Sequence, residues 1–280
     1  MNYEANINLV VTNLLAGMFN IIFPVILGWR IIRWRGTTWK LFGVGVLTFI
    51  GSQILRVPLV TWLTEGFASG LLPEIPQNVA PFFNGIMLGL LAGLFEETAR
   101  WVGYKLLKKH GDSLDSALTL GAGHGGVEAM IVGISMFTGL ISILALTSTD
   151  AALAAMPAEQ AALLRQQVID YWALPWHAPL AGAVERVAAV GLHISLSMLV
   201  WMAVSRRKVI LYFAAVLYHA AVNALATIAL SFNLNVWFIE AALLLVSFGV
   251  LWMVYRRAKQ VDEERKRADA AQAQVEIKPE

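Results

Sequence analysis

Apolar residues dominate seven long stretches of the chain, which short polar segments separate. The stretches cover residues 6–33, 40–64, 80–107, 116–146, 180–205, 208–231 and 235–255. Each is long enough for an α-helix to cross the hydrocarbon core of a bilayer, which takes about 20 residues. The pattern predicts an all-α, polytopic membrane helical bundle with about seven transmembrane helices. We expect residues 1–255 to form it as a single transmembrane domain.

Two segments have a different pattern. Residues 147–179 carry apolar side chains at helical spacing between polar ones, which predicts an amphipathic segment lying in the outer interface of the membrane. After Tyr255 the sequence becomes charged and rich in alanine. We therefore expect residues 256–280 to form a charged, solvated cytoplasmic tail.

Basic residues assign the orientation. Lys and Arg follow spans one, three, five and seven, whereas in the loops of the opposite side Arg165 stands alone. The positive-inside rule then places the N-terminus outside and the C-terminus in the cytoplasm. We expect an integral, multi-pass protein in contact with the lipid bilayer of a prokaryotic plasma (inner) membrane.

The composition narrows the function classes. Hydrophobic residues make up 58% and charged residues 14% of the 280 residues, whereas a soluble domain carries about 25% charged residues. A net charge of +2 gives no reason to expect a nucleic-acid partner. With no cysteine, the chain has no disulfide, thiolate metal ligand or cysteine nucleophile.

Polar side chains inside the predicted spans are the candidate functional residues, because a charge at the bilayer centre costs at least about 2.5–3.5 kcal/mol. Glu96 and Arg100 are four residues apart, as are His124 and Glu128, so each pair shares one helix face. Such faces on several helices can only turn toward one another in a bilayer. We expect a shared site in which Glu96, Glu128, His193 and His219 lie between mid-membrane and its cytoplasmic third, whereas Glu185 lies closer to the outer face. The other polar residues of these spans are Gln53, Arg56, Glu97, Arg100, His124, Arg186 and Asn223.

Several hydrolytic mechanisms are excluded by the residue types. All six aspartates lie in loops or in the tail, so a two-aspartate intramembrane protease is impossible. Neither the zinc-helix pattern H-E-x-x-H nor the serine elbow G-x-S-x-G occurs. Glutamate and histidine remain, and the span carboxylates outnumber the span arginines by one. A carboxylate without an arginine partner, beside histidines, suits a site that handles a proton or a water.

Four motifs carry a family resemblance. Residues 96–100 (EETAR) resemble the E-E-x-x-(R/K) motif of the PrsW-like and CAAX-processing (CPBP) group of intramembrane proteases. Residues 121–129 (GAGHGGVEA) and 185–193 (ERVAAVGLH) resemble strings of the YhfC branch, and residues 218–223 resemble a closing H-x-x-x-(N/D) motif. The resemblance covers a core of about residues 90–225. Two residues separate the glutamate pair from the arginine, a spacing that favours the PrsW side over the CAAX branch.

The resemblance implies hydrolysis of a peptide bond in a membrane-embedded protein or peptide, near the cytoplasmic half of the bilayer. It implies that Glu96 activates the water, supported by Glu97 and Arg100, although the spacing leaves open which glutamate is the base. It further implies that His193 orients the water and that His219 and Asn223 stabilise the oxyanion. His124 and Glu128 are the second-motif site residues, and Glu185 and Arg186 support them.

Two alternatives remain open. His124, Glu128, His193 and His219 could together form a tetrahedral zinc shell, which would make the protein a metalloprotease. No two of these histidines form a chelating i, i+4 pair, so the sequence favours a glutamic-type enzyme without a cofactor, with zinc as the alternative. Buried Glu, His and Arg groups could also relay protons in a proton-coupled transporter. The chain shows no repeated halves of the kind common in transporters.

Overall fold

The computed structural model describes residues 6–148 and 156–276, and this part of the chain is helical with no strand. The helices are α1 (Ile7–Arg35), α2 (Trp39–Ala68), α3 (Ala80–Leu107), α4 (Leu114–Ser148), α5 (Ala158–Trp172), α6 (Ala178–Ser205), α7 (Val209–Ser231) and α8 (Val236–Glu276), with a 3-10 turn at Lys108–Gly111. The predicted all-α class is confirmed.

The seven predicted spans correspond one to one to the seven long helices. Six of these helices are long and apolar enough to cross a membrane, namely all the long ones except α3. Helix α3 has 28 residues, but Glu96, Glu97 and Arg100 lower its mean hydropathy. The structure is that of a polytopic helical membrane bundle.

Glycines bring α3 and α7 into backbone contact. Gly85, Gly89 and Gly93 recur every fourth residue along α3. A Cβ atom added at Gly89 would lie 2.5 Å from the carbonyl oxygen of Ala220, and one at Gly93 would lie 2.5 Å from that of Val216. Small residues at this spacing allow two membrane helices to approach closely. The contact fixes the face of α3 that carries the acidic residues against α7.

Helix α6 lies at the centre of the bundle. It contacts α1, α3, α4, α7 and α8, and its side chains Leu196, Met198 and Val200 are completely buried. Polar residues on this helix therefore face other helices, which positions His193 inside the protein.

The predicted outer segment contains helix α5, which packs against α4 by its buried residues Ala161 and Val168. The indole nitrogen of Trp172 donates a hydrogen bond to the hydroxyl of Thr147 at 3.1 Å, and Asn13 donates one to the hydroxyl of Tyr171 at 3.2 Å. Residues 149–155 of this segment lie outside the described residues.

The predicted tail is not fully solvated. Helix α8 continues without a break past residue 255 to Glu276, and Ala258, Val261 and Asp262 are buried. Asp262 accepts a hydrogen bond from the backbone N–H of Leu114 at 3.2 Å, at the start of α4. The first turns of the tail are therefore packed against the end of the bundle where most Lys and Arg residues lie, which we call the basic end. Residues 277–280 lie outside the described residues.

Candidate functional site

The polar residues expected from the sequence meet about halfway along the bundle. Glu96 lies 11 residues before the end of α3, His193 lies 12 before the end of α6, and His219 lies 10 after the start of α7. At about 1.5 Å per residue, all three are roughly 15–18 Å from the basic end. The completely or almost completely buried members of the group are Glu96, Glu97, Arg100, His124, His193 and His219.

Glu96 is at the centre of this group. Its Oε1 atom accepts hydrogen bonds from Gln53 at 3.3 Å and from Arg56 at 3.2 Å, both on α2. Its Oε2 atom lies 3.2 Å from Nε2 of His124 and 4.0 Å from Nε2 of His219. One carboxylate oxygen is therefore held by α2, and the other faces two imidazole rings.

Glu97 contacts a different set of side chains from the one that surrounds Glu96. Its Oε2 atom pairs with Arg100, and its Oε1 atom accepts a hydrogen bond from Nδ1 of His219 at 2.8 Å. Nδ1 of His219 therefore carries a proton, and in the neutral ring Nε2 presents its lone pair toward Glu96. A carboxylate that fixes the tautomer of a histidine in this way is typical of the support given to metal ligands.

A shared proton or cation is required between His124 and Glu96. The hydroxyl of Thr48 donates to the carbonyl oxygen of Gly45 at 2.7 Å, so it accepts from Nδ1 of His124 at 2.9 Å. The Nε2 atom of a neutral His124 then has a lone pair, as does the Glu96 oxygen opposite. Two acceptors attract each other only through a proton or a cation between them.

His193 connects this centre to a second charged group. Arg100 donates to Nδ1 of His193 at 3.1 Å, so Nε2 carries the proton and donates to Glu128 at 2.5 Å. Arg186 donates to the other oxygen of Glu128 at 2.9 Å and also pairs with Glu185. The ring of His193 lies between those of its neighbours, with centroids 4.9 Å from His124 and 5.2 Å from His219.

A polar cavity of about 140 Å³ opens onto the group. Asn223 and the apolar side chains of Phe49 and Val222 contribute to its wall. Glu185, seven residues after the start of α6, extends the cavity toward the end of the bundle opposite the basic one. The charged residues and histidines of the wall are Arg56, Glu96, Glu128, Glu185, Arg186, His193 and His219.

Three of these side chains fit a metal ion. Glu96, His193 and His219 each offer one ligand atom, and these atoms lie within 4.8 Å of one another. Two histidines and one carboxylate are a donor set found in catalytic zinc sites, where a fourth position is left for water. His193 has a hydrogen bond at each ring nitrogen, so it must give up its contact with Arg100 or Glu128 to ligate a metal.

This group differs from the zinc shell considered from the sequence. His193 and His219 belong to both sets, but Glu96 takes the place of His124 and Glu128. The reason is the packing of α3, which inserts Glu96 between the histidines of α4 and α7, whereas Glu128 is turned toward Arg186.

Thr48 was missed by the sequence reasoning. It lies on α2 with Ser52 and Arg56 at intervals of four residues, so the three polar positions form one stripe along the helix. That spacing is the signal that could have identified Thr48 as a partner of His124.

Comparisons with known proteins identify the family of the chain. The chain is 29% identical over 219 residues to "Uncharacterized membrane protein YhfC" of Bacillus subtilis (strain 168), an alignment that covers 76% of this chain and 82% of the relative. No solved structure matches the chain. The sequence model described as "YhfC intramembrane metalloprotease" matches residues 19–256, which include all of the candidate site residues. The chain therefore belongs to the YhfC intramembrane metalloprotease family.

Proposed function

We propose that the protein hydrolyses a peptide bond of a membrane-embedded protein or peptide, using water activated at Glu96, His193 and His219. The observation that carries the proposal is the convergence of these three buried side chains at one polar cavity. Family membership supports hydrolysis over the transporter alternative. The wider grouping with PrsW-like and CAAX-processing proteases, like the placement in a prokaryotic inner membrane, stays a prediction.

The family description favours a metal-dependent mechanism over the glutamic type preferred from the sequence. We therefore propose that Glu96, His193 and His219 hold a zinc ion. Zinc at such a site lowers the pKa of a bound water to about 7 and polarises a carbonyl group. Arg56 holds the carboxylate of Glu96, and Glu97 holds the ring of His219, so two ligands are oriented by neighbouring side chains.

Glu128 is the proposed general base. When His193 turns a ring nitrogen away from it, Glu128 stays bound to Arg186 through one oxygen, and its other oxygen is free to accept a proton from water. The same carboxylic acid then delivers that proton to the leaving amine. We propose that the side-chain amide of Asn223, which also lines the cavity, donates to the developing oxyanion.

The metal content of the purified protein tests this assignment. We expect about one zinc per chain by elemental mass spectrometry, and loss of that zinc in His219→Gln and Glu96→Gln. The matched control is His110→Gln, which changes an exposed histidine at the basic end. A wild-type protein without bound zinc that still cleaves, and loses cleavage in Glu96→Gln, would support the glutamic-type mechanism instead.

Cleavage is measured with a defined probe, a reconstituted peptide of about 20 apolar residues with flanking lysines and a fluorophore–quencher pair. We expect wild type and His110→Gln to cleave it, and a chelator to stop cleavage until zinc is added back. Failure of the zinc-loaded protein to cleave this peptide or reconstituted membrane proteins would contradict the proposed function.

A further inference from the structure

A long apolar groove lies between α2 and α3, next to the candidate site. Its volume is about 730 Å³, and it is lined from Val44 to Leu55 on α2 and from Leu94 to Leu107 on α3. The hydroxyls in its wall are already used, because Ser52 donates to the carbonyl of Phe49 at 2.6 Å and Thr48 to that of Gly45. The groove therefore suits an apolar occupant that needs no hydrogen bonds.

The length of the groove corresponds to one leaflet of a bilayer. Residues 44 to 55 of α2 rise by about 16 Å, and half of the hydrocarbon core is about 15 Å thick. A transmembrane segment of another protein needs the full thickness, whereas an acyl chain needs only this half. The groove occupies the half nearer the basic end, since Val44 is close to the start of α2 and Leu107 ends α3.

At the basic end of the bundle the groove continues into a second cavity, which we call its mouth. This cavity of about 550 Å³ shares Val44 and Leu107 with the groove, and its wall includes Arg35, Lys40 and His110. Asp115, also in this wall, is paired with Arg35 at 3.3 Å. Lys40 forms no ion pair within the described ranges, so the positive charge of its ammonium group is not compensated.

We propose that the groove and its mouth bind an anionic phospholipid of the cytoplasmic leaflet. An acyl chain lies between α2 and α3, and the phosphate lies beside Lys40. Charge favours this occupant over a peptide helix, since the cytoplasmic ends of transmembrane segments are usually rich in Lys and Arg, which the mouth repels. The cytoplasmic leaflet attracts basic side chains through its anionic lipids.

The lipid site is independent of the proposed protease activity but touches the candidate site. Thr48 lines the groove, and its hydroxyl is the hydrogen-bond partner of His124. An acyl chain in the groove packs against the wall that holds this histidine. A bound lipid would therefore contact Thr48, the hydrogen-bond partner of His124, and His124 in turn lies 3.2 Å from Glu96.

Lipid retention by native mass spectrometry tests the headgroup half of the proposal. Wild-type protein is purified in detergent with equal amounts of phosphatidylglycerol and phosphatidylcholine. We expect phosphatidylglycerol to be retained preferentially, and Lys40→Gln to lower that preference about fivefold, the effect of one basic residue near an anionic surface. Lys208→Gln, an exposed basic residue at the start of α7, is the matched control and should keep the preference.

Substitutions at two glycines of α2 test whether the acyl chain of the lipid occupies the groove. A Cβ at Gly51 or at Gly43 meets no atom within 4 Å, and only Gly51 lines the groove. Gly51→Phe should displace the lipid, whereas Gly43→Phe on the same helix should not, with folding of both checked by circular dichroism. Equal retention of the two lipids by wild type, or unchanged retention in folded Gly51→Phe, would overturn the proposal. Displacement of the lipid by the apolar probe peptide, blocked by Gly51→Phe, would also overturn it by assigning the groove to a peptide.

Discussion

The ion pair between Glu97 and Arg100 gives the sharpest test of how the site is held together. Both side chains are completely buried, and Glu97 also accepts the hydrogen bond of His219. In Glu97→Gln the amide oxygen replaces one acceptor, but the amide nitrogen brings a donor to face Arg100 or His219. Breaking a buried pair at one partner costs about 3–5 kcal/mol, because the remaining charge stays buried and unpaired.

Reversible unfolding in mixed micelles of increasing dodecyl sulfate content measures this cost. We expect Glu97→Gln to lower the free energy of unfolding by about 3–5 kcal/mol. The double variant Glu97→Leu with Arg100→Met removes both charges with similar volume, so it should be less destabilised than the single variant. In folded Glu97→Gln, loss of the support for His219 should also weaken zinc binding by about 10–100-fold. A single variant as stable as wild type, or a double variant less stable than the single one, would refute this reasoning.

Four further variants test separate features. Glu240 is buried with an unpartnered Oε2 atom, so Glu240→Met, which removes the polar group at similar volume, should raise the free energy of unfolding by about 1–3 kcal/mol in the same micelle assay. Gly123 packs directly on the backbone of Phe42, so Gly123→Leu should prevent folding, seen as loss of the monodisperse peak in size-exclusion chromatography. Asp262→Ala removes the acceptor for the first turn of α4, which should speed proteolysis of the α8 extension by trypsin. Glu128→Gln should lower kcat about 100-fold or more on the probe peptide and keep the bound zinc, whereas loss of the zinc would make Glu128 a ligand instead of the base.

Much of the fold could be predicted from the sequence because the length and apolar character of a segment indicate whether it can cross a bilayer. Helix α3 was predicted despite its charges, since the apolar residues around Glu96 are numerous enough to span. The packing of the α8 extension against the bundle was not predicted, because residues 256–280 were expected to be solvated. It depends on Asp262 contacting the start of α4, a contact between residues almost 150 positions apart that no local pattern reveals.

Most of the side chains that meet in the candidate site could be expected from the sequence, but Thr48 was not among them, and the contacts between them could not be expected. Spacing along a helix shows that Glu96 and Arg100 share a face, yet it does not show which imidazole a carboxylate meets on another helix. That depends on helix rotation and depth, and here it pairs Glu97 with His219 and Glu128 with His193. The absence of a chelating histidine pair on one helix argued against a metal, but three helices can supply the ligands together.

The close contact between α3 and α7 has a mechanical consequence. With carbonyl oxygens of α7 filling the space where side chains of Gly89 and Gly93 would stand, the two helices can neither slide nor rotate against each other without collision. Glu96 on α3 and His219 on α7 therefore move together as one rigid body. Any widening of the cavity has to come from the other helices that line it, α2, α4, α6 or α8, moving away from α3 and α7.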